Sequence, residues 1–219
     1  LYVGKGDVNA LADFSGIQEQ DAQVSEDECS ARATMGPMTA PTVSLTHLSA
    51  TAGPAIALHG GAGVDPASLT EEQAAAAREA LAAATRAGRE MLDAGGPALD
   101  AVCAAVRVLE DSEHFNAGRG AALTTDGTAE LDACVMTGDS RAGAVTVATG
   151  PRNPVMAARA VMENTDHVLM AAPSRELLEG WGLDLVNADY YLTPARLQML
   201  RETGSFTEYR HGTVGAVAR

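Results

Sequence analysis

Basic residues are scarce in this chain. Lysine and arginine together number 15, against 29 aspartate and glutamate residues, which gives a formal net charge of −14. Nucleic acids bind to basic surfaces, so this balance argues against a nucleic-acid partner. We assign the acidic surface to solubility and infer no ligand from it. The 219 residues suffice for one core, and 46% hydrophobic and 20% charged residues are typical of globular domains.

Cysteine pairs and long apolar runs are also lacking. Cys29, Cys103 and Cys134 are odd in number and widely spaced, which predicts neither a disulfide framework nor a zinc site but free or buried thiols in a reducing cytosol. The apolar stretches fall short of the roughly 20 residues of a membrane span. Residues 1–34 carry acids where a signal peptide has basic and then apolar residues. We therefore expect a cytoplasmic protein that does not enter the membrane.

Residues 1–53 lack the features of a domain. Part of this stretch is polar and acidic, and the rest is rich in Thr, Ser, Ala and Pro without a sustained period. We interpret it as a disordered or non-homologous extension. Residues 54–219 form the predicted domain, which begins with a strand over residues 55–58 and the glycine-rich turn 59–63 (HGGAG).

The next segments favour helices. Thr70 and Gln73 resemble a capping box at the start of a helix that runs to about Ala94, and Pro97 is suited to the first position of a second helix. Two neighbouring helices in one layer are therefore expected. The second helix carries an apolar stripe at helical spacing, formed by Ala98, Val102, Ala105, Val106 and Leu109.

The pattern then changes to that of strands. Segments 121–125, 130–137 and 143–149 predict an antiparallel meander with turns at residues 126–127 and 138–139. Helices are predicted at 153–163, from about residue 174 and at 194–202, and a strand at 168–171. The order indicates an α+β domain. The last segment, 213–218, has the pattern of a strand with no partner in the chain, and we expect the natural polypeptide to continue.

Thr213 is a candidate nucleophile because of its position after Gly212. A glycine tolerates the strained backbone that a scissile bond requires. The threonine hydroxyl can attack the preceding carbonyl, move the acyl group to an ester and release a new N-terminus on hydrolysis. The freed α-amino group titrates near neutrality and could then act as the general base without a histidine.

Two glycine-rich segments are further candidates. The HGGAG turn lacks the spacing of a dinucleotide-binding fingerprint, so it is either a simple turn or a close approach of two backbones. We expect His59, which has no second histidine nearby, to be a hydrogen-bonded structural residue rather than a metal ligand or base. Residues 115–120 (FNAGRG) form either a plain connection or a loop whose inward carbonyls suit a hard cation.

Taken together, the motifs resemble one family, the plant-type asparaginases with isoaspartyl peptidase activity. The resemblance covers residues 54–219. It is carried, in the family's order and approximate spacing, by residues 55–63 (AIALHGGAG), 115–120 (FNAGRG), 130–136 (ELDACVM), 142–145 (AGAV), 152–154 (RNP) and 212–218 (GTVGAVA).

This resemblance implies an N-terminal-nucleophile hydrolase, an αββα sandwich of two sheets between helices. It implies cleavage between Gly212 and Thr213 into an α and a β subunit, with Thr213 as nucleophile and, through its amine, base. Gly60 and Gly61 would support self-cleavage, and Asn116 would lie near the site. The implied substrates are L-asparagine and β-aspartyl dipeptides, which are hydrolysed to L-aspartate.

The resemblance also implies a structural sodium ion, while no organic cofactor is expected. The segment 109–119 matches a loop that binds sodium through main-chain carbonyls. The implied carbonyl ligands are those of Leu109, Glu110, Ser112, Phe115, Ala117 and Arg119.

The chain departs from the family in its β subunit, which is reduced to residues 213–219. The substrate-clamping residues and oxyanion donors of the family lie in the absent part, so the sandwich is expected to be incomplete and the 219 residues alone inactive. The family partners are that β subunit and a second αβ unit in a dimer. A non-catalytic remnant, or half of a complementing pair, is one alternative. A glycosylasparaginase is another, although that branch carries Asp where Gly212 stands here.

Overall fold

The computed structural model describes residues 53–61, 69–203 and 213–219. The predicted extension 1–53 lies outside these residues except for Gly53, and so do Gly212 and the predicted loop 204–211. Within the described residues, no helix has the length and apolarity needed to cross a membrane.

The described elements are five strands, five α-helices and two short 3-10 helices. The strands are β1 (Ile56–His59), β2 (Leu131–Met136), β3 (Ala142–Ala148), β4 (Leu169–Ala171) and β5 (Gly215–Ala218). The α-helices are α1 (Glu71–Asp93), α2 (Ala98–Glu110), α3 (Pro154–Asn164), α4 (Arg175–Gly180) and α5 (Pro194–Thr203). The 3-10 helices are Gly118–Gly120 and Ala188–Tyr191.

The strands form two separate sheets. One consists of β1 and β5 in antiparallel pairing, and the other has the order β2-β3-β4. β2 and β3 are antiparallel, and the α3 crossover places β4 parallel to β3. The mixture of helices and two sheets agrees with a mixed α and β domain.

Two expectations about strands are wrong. The predicted unpaired strand at the end of the chain is β5, and it pairs with β1 from Ile56↔Ala218 to His59↔Gly215. The predicted meander has only two strands, since the segment 121–125 contributes a single bridge between Leu123 and Ala129. The chain already turns at residues 126–127, so too few residues remain on either side of the turn to form a longer strand.

Helices α1 and α2 pack against each other and against the β1–β5 sheet. Thr70 caps α1 in the predicted capping box with Gln73, while Pro97 is the N-cap of α2 rather than its first helical residue. Gly88 allows α1 to pack close to α2, because a Cβ at position 88 would lie 3.0 Å from the Ala101 carbonyl oxygen. Most of the predicted apolar stripe of α2 is buried in the core, and only Ala98, at the start of the helix, is partly exposed.

Helix α3 packs against β2 and β3. Alternate residues of β2, namely Leu131, Ala133 and Val135, are buried, which is the pattern of a strand with one covered face. Exposed apolar side chains remain on both sheets, among them Met136, Leu169 and Val217.

Candidate active site

Thr213 lies two residues before β5, the strand that pairs with β1. It is half-buried, and Val214 next to it is fully buried. The first pair of this ladder joins Gly215 to His59, the last residue of β1. The glycine turn that follows His59 and the threonine that precedes Gly215 therefore lie at the same end of the two-stranded sheet.

Glycines 60 and 61 begin the turn at this end of the sheet. Gly61 has a φ of 110°, a conformation that side-chain-bearing residues rarely adopt. At Gly60 the reason for glycine is space, since a Cβ would lie 2.6 Å from Cε1 of Phe115. At Gly60 the HGGAG motif therefore approaches another segment closely, which is one of its two interpretations, while residues 62 and 63 of the motif lie outside the described residues. The side chain of His59 is exposed.

The loop 115–120 reaches this turn through Phe115, whose side chain is buried. The next residue, Asn116, accepts a hydrogen bond from the Ala122 N–H at 2.7 Å through Oδ1, which closes the loop on itself. Two of the predicted segments, the glycine turn and the FNAGRG loop, are therefore in contact. Gly212, the residue before the predicted cleavage point, lies outside the described residues.

The six predicted sodium ligands lie in the segment 109–119, which runs from the end of α2 into the Gly118–Gly120 helix. A Cβ at Gly118 would clash with the Glu110 carbonyl, and a Cβ at Gly120 would clash with the Phe115 carbonyl. The Ala117 carbonyl already accepts the Gly120 N–H at 3.0 Å. These backbone approaches are compatible with a cation held by carbonyl oxygens, which have a second lone pair available.

Within the described part of the chain, no group of three or more His, Cys, Asp or Glu side chains is arranged to hold a metal ion.

Glu110 is fully buried, and no sequence motif predicts a role for its side chain. Its Oε1 accepts the Val155 N–H at 3.0 Å, near the start of α3, where the N-cap Asn153 makes no side-chain capping bond. Oε2 has no hydrogen-bond partner in the described residues. Burial raises the pKa of this carboxyl well above its usual range, and the Val155 hydrogen bond offsets only part of that increase.

A polar network beside the loop was also missed. Arg152 Nε donates to Asp111 Oδ1 at 2.9 Å, and the Tyr190 hydroxyl donates to the same oxygen at 3.2 Å. The Arg119 guanidinium lies over the Tyr190 ring, 5.3 Å from its centroid. The Asp111 bond raises the pKa of Arg152. The RNP motif contains Arg152, but no local pattern reveals a partner so distant in the chain.

Another missed contact joins α5 to the loop. Arg196 Nε donates to the Gly120 carbonyl oxygen at 2.6 Å. Arg196 belongs to no recognisable motif, so the sequence carries no signal for this contact.

Comparison with known proteins gives a consistent picture. The family model described as asparaginase matches residues 52–219. An isoaspartyl peptidase of Salmonella typhimurium is 44% identical over 180 residues, covering 75% of this chain and 58% of the relative. An isoaspartyl peptidase of Escherichia coli is 42% identical over 179 residues, covering 74% and 56%. A plant-type L-asparaginase of Pyrococcus abyssi is 48% identical over 117 residues, covering 53% and 37%.

The chain thus spans little more than half the length of the first two relatives. The family match nevertheless extends over the whole described domain and includes Thr213 with the glycine turn beside it. On this evidence the chain belongs to the asparaginase family.

Proposed function

We propose that this protein is a self-processing threonine amidohydrolase that converts L-asparagine and β-aspartyl dipeptides to L-aspartate. One observation carries the proposal: Thr213 lies two residues before the start of β5, at the sheet end where His59 pairs with Gly215 and the glycine turn begins. The names of the relatives, isoaspartyl peptidase and plant-type L-asparaginase, supply the substrate class. A cytoplasmic location remains part of the proposal.

Maturation would begin with attack of the Thr213 hydroxyl oxygen on the Gly212 carbonyl carbon. The bond from that carbon to the Thr213 nitrogen breaks, and the acyl group passes to the oxygen as an ester. Water then hydrolyses the ester, leaving a carboxylate on Gly212 and a free α-amino group on Thr213. Gly60 and Gly61 would support this step by allowing the turn backbone to approach the reacting segment.

Turnover would use the same hydroxyl group. The free α-amino group accepts its proton, and the oxygen attacks the side-chain carbonyl of asparagine or of a β-aspartyl peptide. Ammonia or an amino acid leaves with the proton, and water releases L-aspartate from the acyl enzyme. An α-amino group titrates closer to neutrality than a lysine amine, so much of it is unprotonated at physiological pH.

The substrate clamp and the oxyanion donors would come from a β-subunit portion of the kind that the longer relatives carry. Two sheet faces offer places for such a portion, because Met136, Leu169 and Val217 are all more than half exposed. Covering them would complete an αββα sandwich, and two αβ units would then form a dimer. The 219 residues without this portion would be inactive, since oxyanion stabilisation is usually a large catalytic contribution.

A sodium ion would be held by the loop carbonyls and would stiffen the connection between α2 and the glycine turn. Its proposed ligands are the carbonyl oxygens of Leu109, Glu110, Ser112, Phe115, Ala117 and Arg119. The ion would fix backbone geometry, and no step of the reaction depends on it.

Intact mass spectrometry tests the self-cleavage. In the complete polypeptide that the gene encodes, we expect a cut between Gly212 and Thr213, and we expect the Thr213→Ala variant to stay intact. Thr213→Ser keeps a hydroxyl and is the matched control, which should be cut at a reduced rate. A Thr213→Ala variant that is cut at the same bond would overturn the proposal.

Turnover assays test the substrate class. Asparagine, β-aspartyl-leucine and a glycosylated asparagine should be compared, and the first two are expected to be hydrolysed. Preference for the glycosylated substrate would indicate a glycosylasparaginase. Absence of both cleavage and turnover, even after co-expression with a β-type chain, would indicate a non-catalytic remnant. Activity of the 219 residues without any added chain would contradict the proposed need for a β-subunit portion.

A further inference from the structure

The side chain of Tyr190 contacts both ends of the segment 109–119, which carries the proposed sodium ligands. At one end its hydroxyl donates to Asp111 Oδ1 at 3.2 Å. At the other end the guanidinium of Arg119 lies over its ring, with Cζ 5.3 Å from the centroid. Asp111 stands between two of the proposed carbonyl ligands, and Arg119 is the last of them. One side chain therefore joins the beginning of the ligand segment to its end.

The Asp111 end of the segment is firmly held. Besides the Tyr190 hydroxyl, Oδ1 accepts Arg152 Nε at 2.9 Å and Asn153 Nδ2 at 3.2 Å, and Oδ2 accepts Arg152 NH2 at 3.4 Å. Hydrogen bonds to a charged group are stronger than those between neutral groups. Asp111 is also the C-cap of α2, and its backbone N–H donates to the Arg107 carbonyl at 2.9 Å. The backbone at the end of α2 is thus fixed through this carboxylate.

Tyr190 is itself held by residues outside the ligand segment. It belongs to the 3-10 helix Ala188–Tyr191, whose last residue is buried and donates its hydroxyl to the Pro151 carbonyl at 2.9 Å. The Arg152 guanidinium lies 5.9 Å from the centroid of the Tyr190 ring. Because these contacts do not involve the segment 109–119 on the tyrosine side, the position of Tyr190 is set independently of that segment.

We propose that Tyr190 is a positioning residue for the sodium ion: by holding Asp111 and Arg119 it keeps the two ends of the segment 109–119 together. A cation bound by carbonyl oxygens needs several of them to converge on one point. A segment whose ends are already fixed loses less conformational freedom when the ion binds, so its affinity is higher. The inference rests on the proposed function, because the sodium ion is part of that proposal.

The test measures sodium affinity in variants of the complete polypeptide. Melting temperatures in sodium chloride and in choline chloride, compared at equal ionic strength over a range of concentrations, give an apparent dissociation constant for sodium. Tyr190→Phe keeps the ring, loses the bond to Asp111 and leaves the formal charge at neutral pH unchanged. Its dissociation constant should rise about tenfold, as is typical when a residue that supports metal ligands is removed. Tyr190→Leu, which also loses the ring, should raise it further.

Tyr191→Phe is the matched control. It loses a hydroxyl on the same 3-10 helix, but the acceptor of that hydroxyl, the Pro151 carbonyl, lies outside the ligand segment. Its ring, which meets the Tyr190 ring edge to face, is retained. This variant should lose stability in both salts and keep a dissociation constant within about twofold of wild type, as for sites that do not share partners.

A wild-type dissociation constant in Tyr190→Phe would overturn the inference, because the bond to Asp111 would then contribute nothing. A leucine variant that binds sodium as tightly as the phenylalanine variant would overturn the role of the ring contact with Arg119, and with it the inference. An equal loss of affinity in Tyr191→Phe would also overturn it, since that result would indicate a general loosening of the fold. A wild-type protein without any sodium-specific response would contradict the sodium site together with this inference, while self-cleavage at Thr213 would still be decided by intact mass.

Discussion

The ring of Phe115 lies against the backbone of Gly60. A Cβ added at Gly60 would be 2.6 Å from Cε1 and 2.9 Å from Cδ1 of that ring, and 3.3 Å from Cδ2 of Leu81. The φ of Gly60 is not positive, so the requirement for glycine arises from this contact and not from backbone conformation. The contact joins the FNAGRG loop to the turn beside Thr213.

Gly60→Ala should destabilise the fold by about 1–3 kcal/mol, because the added methyl group overpacks against the buried ring. Phe115→Leu removes Cε1, the ring atom that the methyl group would approach most closely. The double variant should therefore be more stable than the sum of the two single effects predicts. Chemical denaturation of the four proteins measures the coupling.

Gly138→Ala is the control for that cycle, since a Cβ at Gly138 has no atom within 4 Å. Its unfolding free energy should stay within about 0.5 kcal/mol of wild type. Strictly additive effects of the substitutions at Gly60 and Phe115 would show that the ring does not exclude a side chain at Gly60.

Locally encoded features of the fold were predictable from the sequence. The capping box of α1 needs only Thr70 and Gln73, three residues apart, and both of its bonds are present. The helix beginning at Asn153 and Pro154 was also predicted, because proline suits a first helical turn. Such signals lie within one turn of chain and do not depend on the rest of the molecule.

Features formed by residues far apart were missed. The chain segments of β1 and β5 lie at opposite ends of the described domain, and no local pattern shows that Ile56 pairs with Ala218. The cap of α3 likewise comes from Glu110 on another helix. In the candidate site, the glycine-rich segments were identified by composition. Their contact through Phe115, and the bond from Arg196 to the loop, required tertiary structure.

The buried carboxyl of Glu110 predicts a pH-dependent stability. Its pKa is raised in the folded protein, so the folded state holds the proton more tightly than the unfolded state does. This contribution is fully present below the ordinary pKa of glutamate. It is lost progressively as pH rises from that value towards the raised one.

Glu110→Gln removes the ionisation but keeps an oxygen acceptor for the Val155 N–H. At acidic pH the variant should match wild type, and by pH 8 it should be more stable by about 1 kcal/mol or more. Thermal melts across the pH range measure this difference. The exposed Glu90→Gln should follow the wild-type curve. A constant gap between Glu110→Gln and wild type at every pH would contradict the expectation.

Val147 adopts a strained backbone near the end of β3, the central strand of the three-stranded sheet. Its φ is 53°, which is unfavourable for a β-branched residue, and it lies opposite the irregular register between Leu131 and Ala133. Asp132 supports this conformation: its Oδ1 accepts the Val147 N–H at 2.9 Å and the Thr146 hydroxyl at 2.8 Å.

Val147→Asn should stabilise the protein by about 1 kcal/mol, because asparagine tolerates positive φ. The valine side chain is 38% exposed, so little apolar burial is lost. Val168→Asn serves as the control, since Val168 is exposed and has no positive φ; it should gain nothing. Denaturant unfolding measures the free energy of unfolding of each variant. A destabilised Val147→Asn would mean that the packing of the valine side chain outweighs the backbone strain.

The proposed sodium site predicts a cation-specific gain in stability. An ion that binds only the folded protein stabilises it by a free energy that grows with the logarithm of the ion concentration above the dissociation constant, and so raises the melting temperature. Sodium chloride should therefore raise the melting temperature more than choline chloride at the same ionic strength, since both screen charges equally. Without such a difference, the proposed ligand set would be wrong.

Gly118→Ala should abolish that difference, because its methyl group would clash with the Glu110 carbonyl, one of the proposed ligands. The variant will also lose stability in choline, since the φ of Gly118 is 49° and favours glycine. The informative quantity is therefore the difference between the two salts within each protein. Gly127→Ala, at a φ of 78° outside the proposed ligand loop, carries a similar backbone cost and should keep the full sodium response. A variant that loses stability but retains its response to sodium would place the ion elsewhere.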